Sequence, residues 1–434
     1  MPWFIHEEES IAPATLDRLT ARLLQQAAER FHRRPRRALL LPPDLTRAHS
    51  GAGELTAALF RQLGESCDTH VMPTLGQHRP HTAKENRRMF GEIPHARIHA
   101  HDWRGGVRRL GAVPAARVAE WSQGRADWEI PIDLNRMVVD EPWDLIVHIG
   151  HVVPHEVLGF ASHNKNYFIG VGGKETLCAS HMAAAAWGIE NNLGRLVTPL
   201  RACFNWAEEQ YLSHLPDVYL LIVMRVQPDG APVTCGIYVG DDLETYLAAA
   251  RASRRWNIHR LDQPLPRVVA YMQPDEYRST WVANKAIYRT RMALAQGGEL
   301  LVLAPGVERF GEQPEVDALI RRYGYCGTPR VLELYRRNAD LRDLGHAAAH
   351  LMNGSSEGRF TIRYAAGGLS QAEIEGVNFA WAEAQTAMQR YHPGRLPPGL
   401  QRWPDGETAY FVHSPSLGLW AAADRLPEEE AASV

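Results

Sequence analysis

Short apolar runs alternate with amphipathic stretches along the first half of the chain. The runs stop at prolines or glycines and predict buried strands at 38–41, 70–75 and 144–149. A helix is predicted over 55–63, and this alternation is typical of a parallel sheet with crossover helices. The runs 218–226 and 233–239 flank the turn residues 227–230 and predict an antiparallel hairpin added to that sheet.

A proline-rich stretch at 262–266 precedes a second alternating pattern. The apolar spacing there predicts strands at 268–272, 299–304, 359–364 and 409–413. Helices are predicted at 243–250, 281–296, 315–322, 331–338, 341–352 and 371–388. We therefore expect two α/β domains with mainly parallel sheets and crossover helices, and an active site in the interdomain cleft. The domains should be 1–265 and 266–434, the second closing the cleft with a last helix that could pack back on the first.

Composition excludes several classes of protein. The chain has 434 residues, of which 45% are hydrophobic and 22% charged, which is enough for two globular domains. A net charge of -3 leaves no general basic surface, so nucleic acid is not expected as a partner. The acidic N-terminus and the absence of a long apolar run predict a cytoplasmic protein without a membrane partner. Five scattered cysteines without a C-x-x-C pair argue against a disulfide framework.

Lysine is scarce in this sequence. Four of the 47 basic residues are lysines, and the others are arginines; the lysines are Lys84, Lys165, Lys174 and Lys285. An amine can lose its proton and form an amide, whereas a guanidinium group stays charged. A retained lysine is therefore a candidate for chemistry that arginine cannot perform, although two or three could persist by chance.

Unusual polar residues follow the three predicted strands of the first half. The first loop carries Asp44 and Arg47, the second carries His78 and His81, and five histidines lie between 148 and 181. In open α/β sheets, ligands bind beyond the carboxyl ends of the strands. An arginine there can hold a carboxylate through two hydrogen bonds, although an Asp-x-x-Arg sequence is also a common turn salt bridge.

Other interpretations of the third loop stay open. Several of its histidines could form a zinc site, which would require three protein ligands and an open position. Some could be solvated or could cap helices. The segment 170–174, Gly-Val-Gly-Gly-Lys, lacks the spacing of a nucleotide-binding P-loop.

Taken together, these residues resemble the lactate racemase family. The shared pattern is Asp-x-Thr-Arg at 44–47, Gly-x-His-Arg-Pro at 76–80, and then Pro154-His155, Gly159-Phe160, Lys165 and His181. Ten residues separate His155 from Lys165 and sixteen separate Lys165 from His181, as in that family. Trp281-Val-Ala-Asn-Lys285-Ala, followed by Gly297-Gly298, is similar to the family's lysine-bearing helix. The resemblance covers about residues 35–310.

The resemblance implies a nickel cofactor, pyridinium-3,5-bisthiocarboxylic acid mononucleotide, joined covalently to Lys165. It implies that His181 ligates the nickel alongside the carbon and two sulfurs of this nickel-pincer nucleotide, a ligand set that suits Ni(II). The implied catalytic residues are His78, His155 and Lys285. The implied substrate contacts are Arg47, Asp44 and Trp281, and the further cofactor contacts are Asp44, Gly170 and Lys174.

The implied reaction inverts the hydroxyl-bearing carbon of a 2-hydroxy acid. A histidine takes the hydroxyl proton, a hydride leaves to the cofactor, and the resulting 2-keto acid receives the hydride on its other face. One acid/base histidine is needed for each hand, and imidazole can serve as either acid or base near neutrality. The resemblance also implies cofactor-synthesis proteins in the host, and a homo-oligomer is compatible with the sequence.

Two departures from the family pattern bear on the substrate. Ser162-His163 replaces the family's usual Gly-Gly, and Trp281-Val282 replaces its Tyr-Gln. Because His163, Asn164 and Asn166 are polar, a larger polyhydroxy (sugar) acid is favoured over lactate. The alternatives are a zinc-dependent hydrolase that uses the histidine cluster, and a non-catalytic nickel- or cofactor-binding protein.

Overall fold

The computed structural model describes residues 1–227 and 230–427, which divide into two compact units. The first unit is formed by 1–180 and 196–257. The second contains 181–195 and the described residues from Ile258 onward. The second unit resumes after Asn257, a few residues before the predicted boundary at 265. The segment 181–195, which belongs to the second unit, was predicted to lie in the first domain. Both units are α/β, as predicted.

The first unit contains a six-stranded sheet. The strand order is Phe4–Glu7, Pro232–Gly240, Asp217–Val226, Leu145–His151, Arg37–Leu41 and Asp68–Val71. The last four strands run parallel to one another. Strand Pro232–Gly240 pairs antiparallel with Asp217–Val226, and Phe4–Glu7 pairs antiparallel with Pro232–Gly240. The predicted hairpin is therefore confirmed, although its turn residues Pro228 and Asp229 lie outside the described residues.

Burial explains why these runs form strands. All seven residues of Leu145–His151 are buried, as expected of a parallel strand covered on both faces. The sheet packs on apolar helix faces, and the core includes Leu23, Leu40, Leu59 and Phe90. The helices of this unit are Pro13–Arg30, Ala52–Leu63, Ala83–Phe90, Ala115–Trp121, Arg136–Asp140, Pro199–Tyr211 and Leu243–Asn257. Helix Lys174–Trp187 crosses the division between the units.

The segment after strand Leu145–His151 consists of short strands, left-handed residues and a π-helical turn. Two short strands, Pro154–His155 and Gly159–Phe160, pair antiparallel. The Lys165 loop, residues 160–165, then contains left-handed backbone at Ser162 (φ 74°) and His163 (φ 61°). A π-helical turn, Asn166–Gly170, follows directly. The two left-handed positions are those at which the resembled family carries glycines, which adopt this conformation without steric cost.

Smaller elements complete the first unit. Strands Val107–Val113 and Ile130–Asn135 form an antiparallel pair that was not predicted. Short 3-10 helices occur at Leu45–Ser50 and His95–Arg97. The predicted strand at 70–75 is shorter, Asp68–Val71, and a single parallel bridge between Pro43 and Thr74 continues its direction.

The second unit contains another six-stranded sheet. Its order is Ala380–Trp381, Thr361–Ala366, Leu294–Ala304, Leu265–Tyr271, Thr408–Val412 and Gly399–Arg402, parallel except for the last strand. Strands Ile258–Leu261 and Leu419–Ala422 form a separate parallel pair. The helices are Ile189–Asn192, Thr280–Ala283, Lys285–Thr290, Pro314–Tyr323, Thr328–Arg337, Ala339–Asp343, Gly345–Asn353, Gln371–Gly376 and Ala384–Arg390, with a 3-10 turn at Arg291–Ala293. The last of these helices contributes Ala387 to the core of this unit.

Three predicted helices of the second half are wrong in extent. The helix at 281–296 ends at Thr290, and its last residues begin the strand Leu294–Ala304. The helix at 341–352 is interrupted at Leu344. The helix at 371–388 is two helices, because left-handed Asn378 (φ 67°) stops the first and the Glu383 side chain caps the second. Apolar spacing alone does not reveal such interruptions. Among the described residues, no helix is both long and apolar enough to cross a bilayer.

The central strand and the Lys165 loop touch at Gly150. A Cβ atom added there would lie 2.7 Å from the Ser162 Cβ and closer still to its Oγ. We predict that Gly150→Ala lowers the free energy of unfolding by about 1–3 kcal/mol, because the loop must move. Urea denaturation of the Gly150→Ala, Ser162→Gly and double variants measures this. Ser162→Gly should restore most of the loss in the double variant, and additive effects of the two substitutions would contradict the predicted clash.

Candidate functional site

The carboxyl ends of the parallel strands in the first unit lead into the loops that carry Asp44, His78 and Lys165. Asp44 precedes the 3-10 helix Leu45–Ser50, and the residue is 6% exposed. The His78 Nδ1 atom lies 2.6 Å from Asp44 Oδ2, and the Thr46 hydroxyl donates to Asp44 Oδ1 at 2.5 Å. The first and second loops are thereby joined through one buried carboxylate.

Asp44 is ionised over the physiological range. Burial by itself would raise the pKa of this carboxyl, but the charge and hydrogen bond of His78 outweigh burial, and Thr46 and His81 add to the effect. The net result is a pKa well below the usual range. Because a carboxylate only accepts hydrogen bonds, His78 must donate from Nδ1, which leaves Nε2 able to take a proton.

His81 supports the same loop from a second point. Its Nε2 atom accepts from the Leu45 backbone N–H at 3.0 Å, and its Nδ1 atom donates to Asn86 at 3.1 Å. The following helix Ala83–Phe90 begins with a capping box between Thr82 and Glu85. His81 therefore positions the loop that carries Asp44.

His155 has a different hydrogen-bond partner at Nδ1 from that of His78. It lies in the short strand Pro154–His155, is 9% exposed, and accepts at Nδ1 from the Val157 backbone N–H at 3.2 Å. In a neutral ring, this bond places the hydrogen on Nε2. The Nε2 atoms of the two predicted acid/base histidines therefore differ in their hydrogen bonding. That of neutral His78 can accept a hydrogen bond, and that of neutral His155 can donate one.

Lys165 is partly buried between charged groups. Burial is the largest cause that lowers the pKa of its amine, to about 8; the positive charges of Arg47 and Arg201 act in the same direction, and Glu156 and Asp44 oppose it. Asp44 and Arg47 are therefore near enough to Lys165 to influence its charge. The structure brings the first loop together with the predicted cofactor anchor.

The polar residues around Lys165 are bound within the protein. Asn164 donates to Asn205 at 2.8 Å and to Glu208 at 2.9 Å, and Asn166 donates to the Leu41 and Ile149 carbonyl oxygens. Of the histidines in this region, His163 stacks on Tyr219 with ring centroids 4.1 Å apart. His148 donates to Asp217 at 3.3 Å. These contacts stabilise the loop, and a role of these residues in binding substrate hydroxyl groups stays a prediction.

Gly170 and Lys174, predicted cofactor contacts, flank a tightly packed turn. The Gly170 carbonyl accepts from Gly76 N at 2.8 Å, and a Cβ atom on Gly170 would lie 2.5 Å from the Thr74 Cβ. Lys174 begins helix Lys174–Trp187, and its backbone N–H donates to the Trp103 carbonyl. Packing alone requires glycine at 170, and a cofactor contact at either residue stays a prediction.

The second unit holds His181, Trp281 and Lys285. His181 is partly exposed on helix Lys174–Trp187. Trp281 stacks on the buried His350 with ring centroids 4.2 Å apart, and Lys285 lies with its Nζ atom 5.9 Å from the centre of the Tyr277 ring.

His350 and the segment 355–359 form a polar cluster in the sequence that could either line a substrate pocket or serve packing and capping. The Nδ1 atom of His350 lies 2.8 Å from the Tyr288 hydroxyl and its Nε2 lies 2.9 Å from the Tyr325 hydroxyl. This network fixes the ring on which Trp281 stacks. The nearby polar segment 355–359 has structural contacts, because Ser355 bonds Gly327 and Glu357 bonds Thr328.

Protein side chains alone do not form a metal site in the part of the chain that the structure describes. No three His, Cys, Asp or Glu residues converge there to share an ion. The arrangement therefore gives no support to a zinc hydrolase, which would need three such ligands. It is compatible with a nickel ion that takes one imidazole from the protein and its other ligands from a bound group.

Two cavities lie in the first unit. Their volumes are about 450 Å³ and 390 Å³, and they share Arg30, Phe31, Ser213 and Leu215 in their walls. The smaller one is also lined by Asp217, which begins its strand, by His163 of the Lys165 loop, and by Asn205 and Glu208 of helix Pro199–Tyr211. The candidate site is thus defined by the chemistry of its side chains and not by the size of a cavity.

Comparisons with known proteins agree with the resemblance seen in the sequence. Residues 5–191 match the lactate racemase N-terminal domain family. The fold is similar to a crystal structure of a protein from Thermotoga maritima, with a TM-score of 0.80 and 22% identity over 96% of this chain and 100% of that chain. It is also similar to the lactate racemase apoprotein from Thermoanaerobacterium thermosaccharolyticum, with a TM-score of 0.68 and 14% identity over 96% and 94% of the two chains. No curated protein matches the chain.

The Asp44 carboxylate should make stability depend on pH. Its pKa is lowered on folding, so its contribution is complete above the unfolded value of about 3.9 and is lost as the pH falls through the lower folded value. We predict that the difference in unfolding free energy between the wild type and Asp44→Asn is largest at pH 5–7 and shrinks below about pH 4. Urea denaturation at a series of pH values measures it. A difference that stays constant from pH 7 to pH 3 would contradict the assignment, and Thr46→Val should give a smaller difference.

Proposed function

We propose that the chain, whose residues 5–191 match the lactate racemase N-terminal domain family, is a member of the lactate racemase superfamily and an isomerase, a racemase or epimerase of 2-hydroxy acids. The observation that carries the proposal is the arrangement of the first unit around Asp44. This carboxylate holds His78 and lies near Lys165, together with the carboxylate-binding candidate Arg47. A base, an anion-binding cation and a reactive amine are the groups that such a reaction requires.

The residues of the first unit fit a covalently held cofactor. Lys165 would hold a nickel-pincer nucleotide, Gly170 and Lys174 would contact its nucleotide part, and His181 of the second unit would ligate the nickel. When bound, this group supplies a hydride acceptor, which the amino-acid side chains lack. An amine with a lowered pKa supports the role of Lys165, because covalent attachment requires the neutral form.

Proton transfer is proposed for the two histidines. The free Nε2 atom of His78 can accept the hydroxyl proton of one enantiomer, and Asp44 then stabilises the resulting imidazolium ion. Proton donation by His155 to the oxygen of the keto acid, when the opposite enantiomer forms, requires its imidazolium form, in which Nδ1 also carries a hydrogen and no longer accepts from the Val157 backbone N–H. For the reverse reaction the two rings exchange roles.

Substrate binding is proposed for Arg47, whose guanidinium group can hold a carboxylate in two parallel hydrogen bonds. Lys285 and Trp281 keep the substrate roles that the resemblance implies. The preference for a larger sugar acid loses part of its basis, because the Asn164 and Asn166 side chains bond within the protein. It remains a prediction, to be tested by comparing lactate with aldonic acids as substrates.

A non-catalytic protein that only binds the cofactor is the second candidate. Such a protein would need Lys165 and His181, but it would not need two histidines with opposite hydrogen-bond partners. The pairing of Asp44 with His78 therefore favours an enzyme.

The cofactor assignment predicts a specific covalent change. Protein purified from a host that synthesises the pincer nucleotide should show an increase in intact mass and stoichiometric nickel. Lys165→Arg keeps the positive charge but cannot form the linkage, so it should lose the mass increase. The exposed Lys84→Arg should keep it. An unmodified wild-type mass without nickel in this host would remove the basis of the proposal.

The histidine assignment predicts losses that depend on the enantiomer. His78→Ala and His155→Ala should each lower the rate of racemisation by roughly 10²–10⁴-fold with the cofactor still bound. In single turnovers, each variant should fail to form the keto acid from one enantiomer, and the two variants should fail with opposite enantiomers. The exposed His392→Ala serves as the control. Equal losses with both enantiomers would count against separate bases.

A further inference from the structure

Arg201 lies buried behind the Lys165 loop and contacts it at several points. The residue is 2% exposed and belongs to helix Pro199–Tyr211. Its guanidinium group donates to the Phe160 carbonyl at 2.8 Å, to the Ser162 carbonyl at 3.4 Å and to Asn164 Oδ1 at 2.5 Å. Three residues of one short loop are thus held by a single side chain.

Arg201 is itself held in place. It donates to the Tyr246 hydroxyl at 3.0 Å, and its guanidinium carbon lies 4.3 Å from the centre of the Tyr246 ring. A planar guanidinium group suits such a position, because it donates along several directions and stacks on an aromatic face at once. Lysine could not reproduce this set of contacts.

The same helix contributes two more contacts to the loop. Asn205 and Glu208 follow Arg201 at spacings of four and seven residues, which places the three on one face of the helix. All three bond the side chain of Asn164, the residue that precedes Lys165. A rigid polar face of the helix therefore fixes the loop immediately before the amine.

The contacts support a backbone that would otherwise be unfavourable. Ser162 and His163 both have left-handed backbone, which residues with a Cβ atom rarely adopt. His163 is buried between Tyr219 and Tyr246, with ring centroids 4.1 Å and 5.2 Å away. Strained conformations of this kind persist only where the surrounding structure fixes them.

From this geometry we propose that Arg201 is the positioning residue of Lys165, holding residues 160–164 so that the amine sits in a partly buried place where it reacts as a neutral nucleophile. The inference deepens the proposed function, because a neutral amine is what a covalent cofactor linkage requires. The reactivity itself is a property of this chain alone. It can therefore be measured on the apoprotein.

The charges around Lys165 agree with this role. Burial is the largest effect that lowers the pKa of its amine, and Arg47 and Arg201 add positive charge. Glu156 and Asp44 act in the opposite direction. Loss of the Arg201 contacts would remove one positive charge and admit water to the loop, and both changes favour the charged amine.

The test is competitive labelling of the apoprotein with acetic anhydride over pH 6–10, with each lysine quantified by peptide mass spectrometry. Only four lysines are present, so each is resolved separately, and exposed Lys84 reports the activity of the reagent. Lys165 should label with a midpoint near pH 8. The midpoint is the measured quantity, because partial burial slows the absolute rate. A wild-type midpoint near the ordinary lysine value of about 10.4 would overturn the proposal.

Arg201→Gln should lower the labelling of Lys165 at pH 7 by tenfold or more and move the midpoint upward. Arg201→Lys keeps a charge without the multiple contacts and should shift the midpoint by an intermediate amount. Leu59→Ala, a core substitution in the same unit, controls for general loss of stability and should leave the midpoint unchanged. An unchanged midpoint in Arg201→Gln would refute the positioning role.

Milder variants keep the test decisive if Arg201→Gln does not fold. Asn205→Ala and Tyr246→Phe each remove one contact of the network, and both should raise the midpoint in the same direction. If neither variant moves it, the proposal fails. Failure of the cofactor assignment would look different, because Lys165 would keep its low midpoint in the apoprotein while no nickel or added mass appears in protein from the cofactor-producing host.

Discussion

The parallel pairing of strand Leu145–His151 with its two neighbours is the constraint on which the proposed site depends. Because the strand is buried along its whole length, it cannot shift register without exposing apolar residues or burying polar ones. Its pairing with Arg37–Leu41 brings the loop of Asp44 beside the segment that leads to His155 and Lys165. Asp44 then joins the first loop to the second through His78. The chemistry of the first unit is thus assembled by backbone pairing and completed by one carboxylate.

The two histidines, His78 and His155, differ in hydrogen bonding because each ring has a different partner at its Nδ1 atom. A carboxylate faces Nδ1 of His78, and a backbone N–H faces Nδ1 of His155. The contrast gives the two rings different hydrogen-bonding states, which supports the different proton-transfer roles proposed for them. The pKa of the Lys165 amine is likewise lowered by burial and by neighbouring positive charge.

Sequence patterns predicted the parallel strands of the first half closely, since a short continuous apolar run that ends at proline or glycine is typical of a buried strand. They also predicted the loops that carry Asp44, His78, His155 and Lys165. They did not predict the roles of Arg201, Asn205 and Glu208, although the spacing of these polar residues along one helix face was a readable signal. They did not show that the Asn164 and Asn166 side chains bond within the protein, because polarity alone does not reveal whether a side chain finds its partner inside the protein or outside it.

The close approach of Gly150 and Ser162 has a consequence for interpreting other sequences of this fold. Where strand and loop backbones lie this near, the two positions share the space of one side chain. A homologous sequence that carries a larger residue at the strand position should therefore carry glycine at the loop position. This pair of sites could help to recognise, from sequence alone, which relatives keep the loop geometry that presents the lysine and which have lost it.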